Sequence, residues 1–439
     1  LLKNNFVRKK IKTTLVYIAS NIIYQLPPVL LLPFLTRYLS QADYGIVTLF
    51  TKMTALLLPI CTLGIKLVTK KGFYWHNKND FSIFFTTALL LPFISLPIVG
   101  MALWLMGDKI TQWWGYPVQW LWAIPVFVAC RHAFLLGLDQ FRALKKPLRY
   151  ALFKNGAALL EIGITVLLIT TYNMTYDGRI LGIIAAKMLF ALLALGWLWT
   201  MGQWRWGFNL DFARHIAAEG LRALPILVAS VAFKLLDTFL VAYYLGNDAT
   251  GIYGLALRVA SAVALVQTGL LLATQPALME QLSKPKEDKT SIKIAQYLLL
   301  EWLLFVFAAV ILAWVVVPII FPYYIDAKFN NAITLLLPLS LGLVLLGIAQ
   351  SLSTFFVFFG QYRPLNIGIL AGLLTLLVST AWAAPHYGLI GIAWASCVAY
   401  AVPVVFQLYY LPQIYAMPWS KALRDFVTSM RSFIHRRTQ

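Results

Sequence analysis

Twelve apolar stretches, each long enough to cross a bilayer, follow one another along this chain. They lie at about 13–39, 44–67, 81–106, 117–140, 149–171, 180–202, 219–245, 251–280, 294–320, 331–359, 363–384 and 389–412. A span needs roughly 20 apolar residues. Lipid offers the backbone no water, so each stretch is expected to be a helix. Of 439 residues, 61% are hydrophobic and 12% charged, about half the charged share of an ordinary soluble domain. A soluble core of that composition could not cover itself with polar surface. Disordered, fibrous, disulfide-scaffold and ordinary cytosolic classes are excluded, and an all-α integral membrane protein with 12 transmembrane helices is expected.

The net charge of +20 is not read as a nucleic-acid signal. In a membrane protein a basic excess marks cytoplasmic loops. Of the 36 Lys and Arg, 26 fall in the termini and alternate loops: 1–12, 66–80, 141–149, 203–222, 281–293, 360–363 and 413–439. The opposite loops hold four, Arg37, Lys109, Arg179 and Lys328, and six lie inside spans. That alternation predicts both termini in the cytoplasm. Residues 1–12 are too basic, and the following apolar stretch too long, for a cleavable signal peptide. Cys61, Cys130 and Cys397 lie in apolar segments with no metal-ligand spacing and no evident disulfide pairing.

In 419–434, Trp419, Leu423, Phe426, Val427, Met430, Phe433 and Ile434 recur at helical spacing, with Lys421, Arg424 and Arg431 between them. This pattern predicts an amphipathic helix on an anionic membrane surface; residues 1–12 are a weaker case.

Six spans return the chain to its starting side, so two six-helix lobes related by an axis along the membrane normal are expected. The expected boundaries are 1–202 for the first lobe, 203–218 for a cytoplasmic linker, 219–414 for the second lobe and 415–439 for the basic tail. Tyr38-Leu39-Ser40 with Gly45-Ile46, Leu49 and Lys52 aligns with Tyr244-Leu245-Gly246 with Gly251-Ile252, Leu255 and Arg258 at a constant offset of 206. Pro147-Leu148 and Pro364-Leu365, and Gly182-Ile183 and Gly391-Ile392, agree more loosely.

Lys52, Arg131, Lys154, Lys187, Lys234 and Arg258 lie within spans, with Glu161, Asp237 and Glu301 as accompanying acids. Each buried charge costs about 2.5–3.5 kcal/mol on the insertion scale. These cations must therefore pair, snorkel or face water. Lys234 and Asp237 stand at i, i+3 and are expected to pair; Lys154 and Glu161, seven apart, share a helix face. Asp139 and Glu280, near cytoplasmic ends, are expected to be solvated. The surplus of cations is most economically met by a water-filled cationic cavity suited to phosphate or diphosphate. The sequence contains no HExxH, no Gly-rich phosphate loop and no nucleophile–base constellation. The outer loop at about 107–116 is too short for the active site of a sugar-processing membrane enzyme. Its neighbours Trp104, Trp113, Trp114, Trp120 and Trp122 read as an interfacial aromatic belt, with stacking on sugar rings as the alternative.

Four segments carry a family resemblance: Leu35-Thr36-Arg37-Tyr38-Leu39-Ser40-Gln41-Ala42-Asp43-Tyr44-Gly45; Gly220-Leu221-Arg222-Ala223-Leu224-Pro225; Asp237 followed by Tyr244-Leu245-Gly246 and Gly251-Ile252-Tyr253; and Tyr387-Gly388-Leu389-Ile390-Gly391-Ile392-Ala393. In order and spacing the chain resembles the Wzx-type O-antigen and polysaccharide flippases of the multidrug/oligosaccharidyl-lipid/polysaccharide (MOP) exporter superfamily. The resemblance implies a V-shaped pair of six-helix lobes in a bacterial inner membrane, moving an undecaprenyl-diphosphate-linked oligosaccharide outward by alternating access. It implies Lys52 and Arg258 foremost, then Arg131, Lys187, Lys154 and Lys234, as substrate-binding cations. Glu161, Asp237 and Glu301 become candidates for coupling to H⁺ or Na⁺. No cofactor, metal or nucleic acid is expected. Membrane lipids and the polysaccharide polymerase and chain-length proteins are the implied partners. A cation-coupled multidrug or small-solute exporter of the same superfamily is the main alternative, disfavoured by the cationic spans. A lipid II flippase would commonly carry two further helices. A sugar polymerase lacks its outer loop here, and a major-facilitator transporter lacks its motif at Lys70-Lys71-Gly72-Phe73-Tyr74-Trp75.

Overall fold

The structure is a computed structural model that describes residues 23–24, 29–65, 68–69, 73, 78–283, 288–415 and 417–425. The described residues are overwhelmingly helical. In chain order the helices are α1 (Leu32–Tyr38), α2 (Gln41–Cys61), α3 (Lys78–Leu90), α4 (Pro92–Leu105), α5 (Gly107–Trp114), α6 (Ala123–Ala143), α7 (Pro147–Thr171) and α8 (Tyr176–Thr200). They continue as α9 (Leu210–Leu282), α10 (Asp288–Ile311), α11 (Val317–Tyr324), α12 (Ile333–Phe358) and α13 (Tyr362–Ile414).

Nine helical stretches among the described residues are long and apolar enough to cross a membrane. Two of them, Leu210–Leu271 with 62 residues and Tyr362–Ile414 with 53, far exceed the roughly 20 that a bilayer needs. Each breaks at a glycine outside helical geometry, Gly246 (φ 80°, ψ −173°) in α9 and Gly388 (φ 56°, ψ −137°) in α13. Each therefore holds two spanning stretches, divided where the sequence places its short turns. Most of the first expected span lies outside the described residues; α1 is its end. Residues 1–12 and the tail beyond Asp425 also lie outside them, while 419–425 are helical as the amphipathic pattern predicts. The short outer loop expected at 107–116 contains a helix, α5, closed by Gly115 in the left-handed region (φ 61°).

The outward faces of these helices are apolar. Trp104 is 69% exposed, Leu105 71% and Trp314 80%; exposed apolar area on this scale marks a membrane-facing surface. The chain is a multi-pass membrane protein. The expected tryptophan belt divides: Trp104 and Trp122 are exposed, whereas Trp114 packs on Phe239, ring centroids 5.1 Å apart, within a buried cluster.

Packing groups the chain into two compact units. One runs up to Gly254 and takes in Tyr324–Phe329; the other comprises Leu255–Tyr323 and the residues from Asn330 onward. In the first unit, the short segment 324–329 packs on the start of α2. Phe329 meets Tyr44 edge-on at 5.8 Å, and Gln41 Nε2 donates to the Lys328 carbonyl. In the second unit, α10 ends in a π-helical stretch, Leu312–Val316. It ends two residues before Pro318, which has no N–H to donate and crowds the carbonyl four residues back. Trp302 donates to Ser351 Oγ (2.9 Å) and stacks on Trp419 (5.5 Å), which holds the start of the tail against α10.

The 206-residue offset has a physical counterpart in the first unit. Ser40 starts α2 with a capping box: its Oγ accepts from Asp43 N (3.0 Å), and Asp43 Oδ2 accepts from Ser40 N (3.1 Å). The equivalent position in the second copy is Gly246, where backbone freedom replaces the cap. The two copies touch. A Cβ at Gly45 would strike the Asn247 carbonyl, and a Cβ at Gly251 the Gln41 carbonyl; Gly254 sits directly on Thr48. Gln41 and Asn247, Gly45 and Gly251, and Thr48 and Gly254 are each one offset apart. Such reciprocity is the signature of a local two-fold axis between the two segments.

This contact leaves no room for a methyl group, whereas a Cβ at Gly163 on α7 would meet nothing within 4 Å among the described residues. Gly45→Ala is expected to lower stability by about 1–3 kcal/mol and Gly163→Ala to be neutral, read as the thermal midpoint of the purified protein.

Candidate functional site

Helices α7 and α8 form a hairpin whose close approach is set by small residues. Gly182 lies directly on Thr165, and Gly178 on Leu168 and Ile169. In that register Glu161 lies four residues beyond Thr165 and Lys187 five beyond Gly182, so Lys187 stands slightly further from the 172–175 connection. Side chains lean toward the N-terminus of their own helix. Glu161 therefore leans away from the connection and Lys187 toward it, so the two meet.

The result is a compact ionic cluster. Glu161 Oε1 accepts from Arg179 Nη2 at 2.7 Å, and Oε2 from Lys187 Nζ at 3.1 Å. Arg179 Nη1 donates to Thr165 Oγ1 at 3.0 Å on the way. All three ionic side chains are largely buried, with 16% of Glu161, 10% of Arg179 and 8% of Lys187 exposed. Tyr24 lies beside them. Its ring carries Lys154 Nζ at 4.5 Å and Lys187 Nζ at 5.9 Å, distances at which a cation is attracted to the ring face. Arg131, on α6, lies within electrostatic reach of both Tyr24 and Glu161. Arg131, Lys154, Arg179 and Lys187 thus gather around one acid and one tyrosine, all in the first unit.

Two expected pairs are corrected. Lys154 does not take Glu161; the carboxylate faces α8, where the hairpin brings Arg179 and Lys187, and Lys154 rides over the rings of Tyr24 and Tyr150. Lys234 does not pair with Asp237. Asp237 is 1% exposed and accepts instead from Tyr253 Oη at 2.9 Å and from Thr238; Lys234 is exposed. Arg179, expected in an outer loop, is buried because α8 begins at Tyr176 and draws it into the helix. Its place at the start of a hairpin after a four-residue connection was the signal available. Asp139, expected to be solvated, has a side chain only 11% exposed and pairs with Arg142 at 3.3 Å.

The other candidates lie elsewhere. Lys52 is half-buried on α2 in the first unit, and Arg258 half-buried on α9 in the second. Glu301 is buried on α10. Its Oε2 accepts from Thr274 Oγ1 at 3.3 Å, and its Oε1 has no hydrogen-bond partner among the described residues.

The cluster makes a quantitative prediction. In double-mutant cycles, Glu161→Ala with Arg179→Ala is expected to show a coupling of about 1–3 kcal/mol. Glu161→Ala with Lys154→Ala is expected to stay within about 0.5 kcal/mol, both read from unfolding in detergent.

Comparison with known proteins agrees with this architecture. The chain is 21% identical over 333 residues to "Lsg locus putative protein 1" of Haemophilus influenzae, covering 73% of this chain and 78% of that protein. Its structure is similar to one described as "Lipid II flippase MurJ, inward closed conformation", with a TM-score of 0.73, 14% identity and coverage of 98% of this chain and 93% of that one. It is also similar to an inward-facing multidrug resistance MATE family transporter of the MOP superfamily, with a TM-score of 0.67, 16% identity and coverage of 92% and 95%. At such identities the likeness is one of fold. A family model described as "Polysaccharide biosynthesis protein" matches residues 11–282, and the chain belongs to that family.

Proposed function

We propose that the protein is a flippase that carries an undecaprenyl-diphosphate-linked oligosaccharide, the repeat unit of a surface polysaccharide, from the cytoplasmic to the outer leaflet of a bacterial inner membrane. The observation that carries this reading is the joining of two facts. The chain belongs to a polysaccharide biosynthesis family, and its spans gather four cations around one acid and one tyrosine, two of them in contact with the acid. A lipid-linked diphosphate is the anion in polysaccharide assembly that must cross the membrane, and clustered Arg and Lys suit its oxygens. A cationic drug would be repelled by the same cluster, which disfavours the multidrug exporter.

In this reading twelve helices in two six-helix lobes, with cytoplasmic termini, alternate access around the substrate. Lys52, Arg258 and Lys234 contact the anion along its way, with Arg131, Lys154 and Lys187 in the cluster. The diphosphate carries about two negative charges, and outward movement gains roughly 2.3 kcal/mol per charge per 100 mV. The empty carrier must then reset to face the cytoplasm. Uptake of H⁺ or Na⁺ assists that reset, and Glu301, a buried acid with one oxygen unpartnered among the described residues, is the best placed of the candidate acids to take it up.

The test uses liposomes holding the purified protein and a fluorescently labelled undecaprenyl-diphosphate-linked oligosaccharide. Label in the inner leaflet is expected to become accessible to an impermeant quencher in protein-containing liposomes. The Lys52→Ala/Arg258→Ala variant is expected to lower the initial rate at least about tenfold, the equivalent of one charge-assisted hydrogen bond. Access no faster than in protein-free liposomes, together with extrusion of cationic dyes, would replace this reading with the exporter.

A further inference from the structure

We infer that Glu161 is a built-in counter-anion: its carboxylate stands where an anionic group of the substrate stands during transport, and it yields Arg179 and Lys187 to that group on binding. The inference rests on the reading of the protein as a carrier of a lipid-linked diphosphate.

The geometry is that of an occupied anion site. Each Glu161 oxygen takes one cation, Oε1 from Arg179 and Oε2 from Lys187, as two oxygens of a phosphate would. The donors outnumber what the carboxylate can use. Arg179 is buried, and its Nε has no hydrogen-bond partner among the described residues. Arg131 and Lys154 add charge beside the same tyrosine. A pair kept for stability alone would be matched in charge, and replacing a buried ion pair with apolar residues is often neutral or stabilising. Two cations on one acid, with two more beside the adjoining Tyr24, instead form a site with capacity left for a more highly charged guest, partly neutralised while empty.

The device has two consequences for transport. Glu161 lowers the net positive charge that the loaded carrier brings outward against the membrane field. The displaced carboxylate, held beside the bound diphosphate, repels it and favours release. Glu161 is thus a positioning residue: it acts through Arg179 and Lys187 and sets how tightly they hold the anion.

The test is binding and turnover of the full chain in lipid nanodiscs, wild type against Glu161→Gln. The probes are undecaprenyl diphosphate, undecaprenyl monophosphate and inorganic pyrophosphate. Removal of the competing charge is expected to tighten undecaprenyl diphosphate at least about tenfold and to slow translocation, a split that a merely structural residue would not produce. The same gain for pyrophosphate assigns recognition to the diphosphate itself; a gain confined to the lipid assigns it to the lipid headgroup; both support the inference. Unchanged or weaker binding by a folded Glu161→Gln protein overturns the inference alone. Wild type that binds neither diphosphate overturns the carrier reading with it. Should the variant not fold, the wild type is treated with a hydrophobic carbodiimide and labelling at Glu161 is read by peptide mass spectrometry. Undecaprenyl diphosphate is expected to raise the labelling by freeing the carboxyl; labelling that is unchanged or lowered overturns the inference.

Discussion

A charge held in hydrocarbon must find a partner close by, because neither water nor counter-ions can reach it at low cost. In this protein that requirement organises α6, α7 and α8. The Gly182–Thr165 approach brings two helices close enough for one carboxylate to take two cations from the neighbouring helix. The same hairpin then holds Lys187 near Tyr24, and Tyr24 links it to Lys154. Small residues and ionic ones are therefore parts of a single arrangement.

Backbone proximity plays a comparable role where the two copies of the repeated segment meet. Gly45 and Gly251 give each other's segment access to backbone carbonyls that any side chain would cover. Helices in lipid gain little from burying apolar surface against one another, since the lipid tails are equally apolar; close van der Waals packing through small residues takes over. Ser40 and Gly246 show that the repeat preserves geometry more faithfully than chemistry. One turn is made by a side-chain cap and the other by a left-handed glycine, at the same position of the motif.

The spans were legible because apolar runs of that length have one stable form in lipid, and the breaks at Gly246 and Gly388 fall between expected spans. The ionic partners were less legible. Spacing along one helix suggested Lys154 with Glu161 and Lys234 with Asp237. Both acids turn instead to a neighbouring helical segment, Glu161 to α8 and Asp237 to Tyr253 beyond the Gly246 break. A pattern within one helix shows which residues share a face. It does not show what the facing helix brings to that face. Arg179 illustrates the same point at a boundary, since four residues of extra helix at the start of α8 turn a loop cation into a buried one.

The sequence by itself determined the class of molecule, the positions of most spans and the 206-residue repeat, because hydropathy, breaking residues and motif offsets are local properties that survive without coordinates. The tertiary structure alone decided which acid answers which cation, that Tyr24 sits among the lysines, and that the repeated glycines touch. Those outcomes depend on helix register and on side-chain reach across a few ångströms, and nothing in a linear chain records the distance between two helices.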